Sequence, residues 1–334
     1  MKASDRDTQL KHILVTGGSG FFGRSLLRYW LNEKRPLDAN MNVCVLSRNP
    51  RRFLEHYPEF RNIPWLSFHQ GDILHPETYP QGQKFTHLLH AATDSTLGPQ
   101  LSPLDRYIQI VDGTRHMLDY AVAHGIRRFL LASSGGVYGP QPQDMKQIPE
   151  SYNGMPDPLN PQHAYSVAKR TAEHLCSLYQ DRYGVQPVIA RCFAFVGRDL
   201  PLDVHFAIGN FIRDALYANA VVVKGDGTAV RSYMDQRDLA AWLLTLLHDG
   251  RPGQAYNVGS DQALSIAELA RLVRDTVSPD KAVLIAGRAD PNNFRSRYVP
   301  DISKARSELG LAIKVELGAA IRDTARHHGM VPNV

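Results

Sequence analysis

The sequence predicts a doubly wound α/β fold with a smaller carboxyl-terminal α/β lobe, and three observations predict it. Short apolar strands alternate with helical stretches from residue 12 to residue 190, a glycine-rich turn joins the first strand to the first helix, and the alternation becomes irregular beyond Gly197. At 334 residues the chain has length for about two domains and buries roughly 75% of its unfolded surface without a covalent staple. The expected division is a dinucleotide-binding domain over 1–195 and a second lobe over 196–334, with some of its elements returning to the first.

The elements follow in order. Ile13-Leu14-Val15 is an apolar strand, and a helix runs from about Phe22 to Leu31. Strands follow at Asn42–Leu46, Trp65–Phe68 and His87–His90, then a helix over Asp105–His124 with apolar residues at Ile110, Leu118 and Val122. Arg128–Ala132 and Pro187–Ala190 complete the strands of the first domain. This rhythm implies parallel pairing with helices on both faces. The Pro- and Asn-rich stretch Tyr138–His163 is too long for an idle connector; it is either a surface excursion or a substrate-facing loop. In the second lobe, Val221–Val223 and Tyr256–Val258 read as strands. Asp238–Leu247, Ile266–Val277, Ser303–Leu309 and Val315–His327 read as helices.

Composition excludes several classes. Forty-three per cent hydrophobic and 21% charged residues argue against disorder or a fibrous repeat. No uncharged apolar run reaches membrane-spanning length, and the amino terminus lacks the apolar core of a signal peptide. Cys44, Cys176 and Cys192 match neither a disulfide framework nor a zinc site. A cytoplasmic protein is expected. The net charge of +5 is spread thinly, which favours anionic partners slightly and does not indicate nucleic acid.

Gly17, Gly20 and Gly23 lie at three-residue spacing between the first strand and first helix. A backbone that approaches a pyrophosphate closely needs residues without Cβ, and the helix amino terminus then faces the anion. NAD sites usually carry an acidic residue after the second strand. Here Ser47-Arg48 stands there, and Arg48 either meets a 2′-phosphate or caps the surface. The expectation is NADP(H), with NAD as the alternative. Asp72-Ile73, after the third strand, contacts the adenine or else caps a helix.

Tyr165 and Lys169 are four residues apart at the start of a helix, so they project from one face. Ser134 ends the fifth strand, and strand carboxyl ends converge on the cofactor in such a sheet. A phenol, with a pKa of about 10, works as an acid or base only when a cation stabilises its phenolate. Lys169 supplies that charge, and the Ser134 hydroxyl holds a substrate oxygen against Tyr165.

These residues sit within Thr16-Gly17-Gly18-Ser19-Gly20-Phe21-Phe22-Gly23, His90-Ala91-Ala92, Ser133-Ser134-Gly135-Gly136-Val137-Tyr138-Gly139 and Tyr165-Ser166-Val167-Ala168-Lys169. Gly225-Asp226-Gly227, Tyr256-Asn257-Val258-Gly259 and Asp301-Ile302-Ser303-Lys304-Ala305 follow. With these segments the chain resembles the extended short-chain dehydrogenase/reductases that modify nucleotide-activated sugars. The resemblance implies a Rossmann domain, a lobe that holds a nucleotide-diphosphate sugar, Ser134, Tyr165 and Lys169 as the triad, a homodimer built on the helices at 105–124 and 165–181, and a place in polysaccharide or glycosylated-metabolite synthesis. It adds Phe21, Phe22, Ala91, Ala92 and Phe193 to the cofactor set. It implies Arg231 as a diphosphate ligand, with Arg288 as a second, and Gly135, His205, Asn210 and Phe211 around the substrate. Cys192 reads as packing, and His90 as ordering the turn near the nicotinamide. The chain departs from the family at Ala194, Val196 and Arg198, where relatives commonly carry Asn, Tyr and Pro.

Three reactions are open within that family. Sugar 4,6-dehydratases place an acid and a base directly after the catalytic hydroxyl residue, where this chain has Gly135-Gly136; glycine transfers no proton. Dehydration then requires Glu150 or Asp144 to swing in from the long loop. A 4-epimerase needs only the triad, a retained cofactor and room for the ketosugar to turn over. Ser47-Arg48 tilts the expectation to a third reaction, NADPH-dependent reduction of the C4 ketone of a nucleotide-linked 4-keto-6-deoxyhexose with Tyr165 as proton donor. The 4-epimerase is the alternative, ahead of a 4,6-dehydratase or decarboxylase.

Overall fold

The computed structural model describes residues 11–32, 41–93, 101–288 and 296–329. The chain separates into two compact units. One comprises the described residues of Met1–Val137, Asp157–Arg191 and Leu243–Ala255, the other those of Tyr138–Pro156, Cys192–Trp242 and Tyr256–Val334.

The first unit is built from β1 (Lys11–Thr16), α1 (Phe21–Asn32), β2 (Met41–Ser47), α2 (Pro50–His56), β3 (Leu66–Gln70), β4 (His87–His90), α3 (Pro103–Ala123), β5 (Arg128–Ser134), α4 (Ala164–Tyr183) and β6 (Gln186–Cys192). Next in chain order come β7 (Phe195–Val196), α5 (Ala207–Tyr217), β8 (Ala220–Val223), β9 (Val230–Arg231), β10 (Met234–Asp235), α6 (Gln236–Asp249) and β11 (Gln254–Val258). The last elements are β12 (Leu264–Ser265), α7 (Ile266–Val277), β13 (Ala282–Ile285), β14 (Arg297–Tyr298), α8 (Ser303–Leu309) and α9 (Leu317–His327).

A seven-stranded sheet with the order β11-β6-β5-β4-β1-β2-β3 forms the Rossmann-type core. The pairs β1–β2, β1–β4, β2–β3 and β4–β5 run parallel. Chain direction along the sheet reverses between β1 and β4, and the crevice at their carboxyl ends is where this topology places a ligand. Helices cover both faces, so Ile13, Leu14 and Val15 are buried alike. Leu14, Leu88 and Phe129 meet the helix pair α3 and α4, where Ala168, Ala172 and Cys176 form a stripe of small residues against Ile110, Met117 and Leu118. Small side chains at that four-residue spacing let the two helices approach closely. Ser102 starts α3 by accepting the Asp105 N–H at 3.1 Å, with Pro103 in the first turn. Arg128 fastens the end of α6 to the sheet by donating to the carbonyls of Leu247 and Gly250, at 2.9–3.0 Å.

The second unit is held by α5, α7 and α9, whose buried faces carry Phe211 and Ile212, Leu269 and Val273, and Ile321. A capping box between Ser265 and Glu268 begins α7. The helix expected from Val315 begins instead at Leu317, because Asp238 accepts the backbone N–H groups of Lys314 and Val315, at 3.0 and 2.9 Å. Three small sheets, β7–β10, β8–β13 and β12–β9–β14, complete this unit. Several of their strands have two residues, too few to show a period.

Asn257 is the hub of the second unit. Its side chain accepts from the Tyr138 hydroxyl at 2.8 Å and donates to the Ile148 and Asp301 carbonyls at 2.8 and 2.9 Å, and its N–H donates to Glu150 at 2.7 Å. Asn257→Ala removes three of these bonds in a fully buried place. The expected loss is about 3 kcal/mol, read as a lower urea midpoint; an unchanged midpoint contradicts the assignment.

Candidate active site

The turn after β1 is a cradle with no space for a side chain at Gly17, Gly18 or Gly23. Gly17 has φ +74, and a Cβ there would lie 2.5 Å from the Ala91 carbonyl carbon and oxygen. A Cβ on Gly18 would meet Val45 Cγ1 at 2.4 Å, and one on Gly23 would meet Gly18 Cα at 2.1 Å. Gly20 donates its N–H to Gly17 O at 3.0 Å, which closes the turn. Phe21 and Phe22 open α1, so its amino terminus faces the place the glycines keep clear. This geometry fits a dinucleotide pyrophosphate. Gly18 is a member of the cradle that spacing alone did not single out.

His90 orders the facing backbone, and its tautomer follows from its neighbours. The Thr114 hydroxyl donates to the Ile110 carbonyl at 2.7 Å, so it accepts from His90 Nε2–H at 3.3 Å. His90 Nδ1 then accepts the Thr16 hydroxyl at 2.7 Å, and the Thr16 oxygen accepts the Ala92 N–H at 3.3 Å. Burial first, and then the nearby Lys169 charge, push the imidazole down to about 3, so it is neutral at physiological pH. Ala91 and Ala92 are thereby fixed against the glycine turn.

Lys169 is 4% exposed. Its ammonium donates to Thr93 Oγ1 at 2.7 Å and to the Ala132 carbonyl at 2.8 Å, and lies 6.0 Å from the Tyr165 ring centre. Thr93 follows the His90-Ala91-Ala92 segment directly, and sequence reasoning passed over it. Ser134 ends β5, and its hydroxyl oxygen accepts the Gly136 N–H at 3.1 Å. The residues Gly135–Tyr138 form one turn of 3₁₀ helix. The structure thus gathers Tyr165, Lys169 and the β5 end within the first unit.

The other expected cofactor contacts are placed as follows. Ser47 is buried at the end of β2, and Arg48 is exposed beside it. Asp72 uses its carboxylate on the Leu74 N–H at 3.0 Å, and Ile73 fills the space above Gly113. In the second unit, Phe193 lies 4.5 Å from the Tyr298 ring. Arg231 donates to the Val230 and Ser296 carbonyls and to Ser296 Oγ, at 2.8–3.0 Å. Asn210 accepts from Arg213 at 3.0 Å, Phe211 is buried in the core, and His205 lies against Phe206 with tilted rings whose centres are 4.2 Å apart. Arg288 is exposed at the end of a described stretch, and Ala289 and Asp290 of its motif lie outside the described residues. Among the described residues no cluster of His, Cys, Asp or Glu suits a metal, and no helix is long and apolar enough to cross a membrane.

The NAD dependent epimerase/dehydratase family model matches residues 13–259. The chain is 32% identical over 307 residues to UDP-glucuronic acid decarboxylase 6 of Arabidopsis thaliana, covering 91% of this chain and 85% of the relative. Its fold matches UDP-glucose 4-epimerase of Thermotoga maritima at 20% identity with a TM-score of 0.79, covering 95% and 98% of the two chains. It matches dTDP-glucose 4,6-dehydratase of Streptomyces venezuelae at 25% identity with a TM-score of 0.80, covering 95% and 96%. That dehydratase was solved with NAD bound, which overturns the expectation of NADP(H). The expectation rested on the uncharged Ser47 and on Arg48, an exposed side chain beside it, and one surface cation does not by itself specify a 2′-phosphate. The chain belongs to the NAD dependent epimerase/dehydratase family, as an NAD(P)-dependent enzyme acting on a nucleotide sugar.

Proposed function

We propose that this chain is an NAD-dependent 4-epimerase of a nucleotide-diphosphate sugar, with Ser134, Tyr165 and Lys169 as its catalytic residues. The observation that carries the reading is the glycine pair after Ser134. A Cβ on Gly136 would lie 2.7 Å from Ser166 Oγ and 3.3 Å from Ser134 Oγ, so hydroxyls and no carboxylate stand beside Ser134 in this chain. Dehydration needs a proton donor and acceptor at that place, help worth about 10²–10⁴-fold. Glu150 is engaged elsewhere, with its carboxylate on the Asn257 N–H. What remains is chemistry that begins with oxidation at C4.

In the oxidative half, Tyr165 Oη takes the proton of the C4 hydroxyl, and in the reductive half it returns it. Ser134 Oγ hydrogen-bonds the C4 oxygen where charge develops. Lys169 holds its charge beside Tyr165, fixed by Thr93 and Ala132, which favours the phenolate. NAD, held by the glycine turn and Lys169, supplies hydride transfer when bound. Gly135 and Gly136 leave room for the ketosugar to present its other face. Arg231, already oriented by Ser296, is our choice for the sugar-linked diphosphate.

The cycle consumes no reductant, which separates it from the expected C4-ketoreductase; the relatives are decarboxylases, epimerases and dehydratases, and they support the redox-neutral alternative. Identity to the plant decarboxylase favours one second reading, in which C4 oxidation labilises a C5 carboxylate. We also propose a homodimer through α3 and α4, on whose surfaces Leu104 is 66% and Leu178 50% exposed.

Purified protein with UDP-glucose, and with no added reductant, is expected to yield the C4-inverted sugar by NMR. Carbon dioxide release from UDP-glucuronate, with UDP-glucose unchanged, establishes the second reading instead, and a 6-deoxy-4-keto product overturns both. Tyr165→Phe is expected to keep bound NAD and lose at least about 10²-fold in turnover. Gly17→Ala is expected to lose bound NAD, because its Cβ meets the Ala91 carbonyl and its φ suits only glycine; full NAD occupancy in that variant contradicts the cradle.

A further inference from the structure

Helix α4 is tied to Ala132 and Ser133 of β5 and to Val137 in the turn after it. Lys169 reaches the Ala132 carbonyl at 2.8 Å, Ser133 Oγ donates to Glu173 Oε1 at 2.5 Å, and Arg170 donates to the Val137 carbonyl at 3.0 Å. The middle tie extends to β6. The Arg191 guanidinium grips the Glu173 carboxylate through Nε, at 3.1 and 3.2 Å, and Nη2, at 2.8 Å. The pair is nearly enclosed, with side chains 16% and 12% exposed. Glu173 stands four residues after Lys169 and eight after Tyr165, on the same helix face. Ser133 immediately precedes Ser134.

A buried ion pair is a poor way to gain stability, because desolvation consumes most of its Coulomb energy and an apolar pair of equal volume often does as well or better. What a guanidinium–carboxylate fork adds is direction: two parallel bonds fix both angle and depth. An apolar contact at this place would hold α4 to the sheet and let it slide by a fraction of an ångström. Misplacement of about 1 Å is enough to cost roughly 10²-fold in rate.

We propose that Glu173 is a positioning residue: with Ser133 and Arg191 it locks the height of α4 above β5 and β6, and so fixes Tyr165 and Lys169 relative to Ser134. This rests on the assignment of those three as the catalytic residues. Glu173 touches neither substrate nor cofactor in this role. Its effect falls on kcat rather than on the KM for the nucleotide sugar.

The test uses the holoenzyme with UDP-glucose. The apolar pair Glu173→Leu with Arg191→Leu is expected to fold and retain NAD, keep KM within about threefold, and lose roughly 30- to 100-fold in kcat. The conservative Glu173→Gln keeps an acceptor for Ser133 and Arg191 and is expected to stay within about fivefold of wild-type kcat. A second readout needs no turnover: in protein labelled at tyrosine ¹³Cζ, the resonance assigned by its absence in Tyr165→Phe shifts in the apolar pair and stays in place in Glu173→Gln. Wild-type kcat and an unmoved Tyr165 resonance in the apolar pair overturn the proposal. Should that variant fail to fold, Ser133→Ala, which leaves the ion pair intact, is expected to lower kcat roughly 3- to 10-fold, and unchanged kcat overturns the proposal there. Tyr165→Phe separates the two claims. If it stays active, the catalytic assignment fails; if it is inactive while the apolar pair is fully active, only the role of Glu173 fails.

Discussion

The buried ammonium of Lys169 constrains everything near it. A cation at 4% exposure is tolerable only when its donors are used and its neighbours carry no like charge. The chain meets the first condition with the Ala132 carbonyl of β5 and with Thr93 after β4. It meets the second through His90, a residue whose ordinary pKa would leave part of the population charged near neutrality. Burial and Lys169 itself hold that imidazole neutral. The two groups are therefore one design: the charge that a phenol needs excludes a charge on the ring that orders the cofactor turn.

That ordering is backbone against backbone. The distance between the β1 turn and Ala91 leaves no volume for a Cβ on Gly17, and the hydroxyl–imidazole–hydroxyl chain from Thr16 to Thr114 keeps Ala92 from drifting. Neither device works alone. Glycines without the ordered strand end would give a flexible loop, which loses more entropy on binding. An ordered strand end facing a larger residue would close the crevice. Both sit at the reversal of strand order between β4 and β1, so topology, turn chemistry and a neutral histidine act on the same few ångströms.

How much of this was legible in the sequence follows from which signals are local. The alternation of β1 to β6 with α1, α3 and α4 was plain because these elements carry their own period, whereas the seven-residue α2, at Pro50–His56, was too short to be singled out. Helices α7 and α8 matched residue for residue, since Ser265 and Gly310 mark their ends chemically. Tyr165 and Lys169 were legible because four residues is one helical turn. Thr93, Gly18 and the Glu173–Arg191 pair were not, because each acquires meaning only through a partner distant in sequence: Thr93 through Lys169, 76 residues away, and Gly18 through Val45. The two-residue strands of the second unit were invisible for a similar reason. The cofactor preference failed differently: an uncharged Ser47 and a cationic Arg48 were read as a 2′-phosphate site, two local features that leave the cofactor undecided, and a relative solved with NAD bound overturns that reading.

The same logic bears on why a chain 32% identical to a UDP-glucuronic acid decarboxylase is read first as an epimerase. Once C4 is a ketone, a carboxylate at C5 is lost as from any β-keto acid, and no side chain beyond Tyr165 and Lys169 is needed to start that loss. Inversion at C4 needs the same residues and space to turn. The triad therefore does not separate the two outcomes, and identity spread over the whole chain does not either. What separates dehydration from both is a proton carrier next to Ser134, and there this chain has Gly135-Gly136, with the Ser166 hydroxyl of the helix that carries Tyr165 at 2.7 Å from where a Cβ on residue 136 would stand. On the proposed reading the helix that carries Tyr165 also sets a hydroxyl, and no carboxylate, beside Ser134, so inversion and carbon dioxide loss would both start from oxidation at C4 and differ in the sugar on which the same residues act.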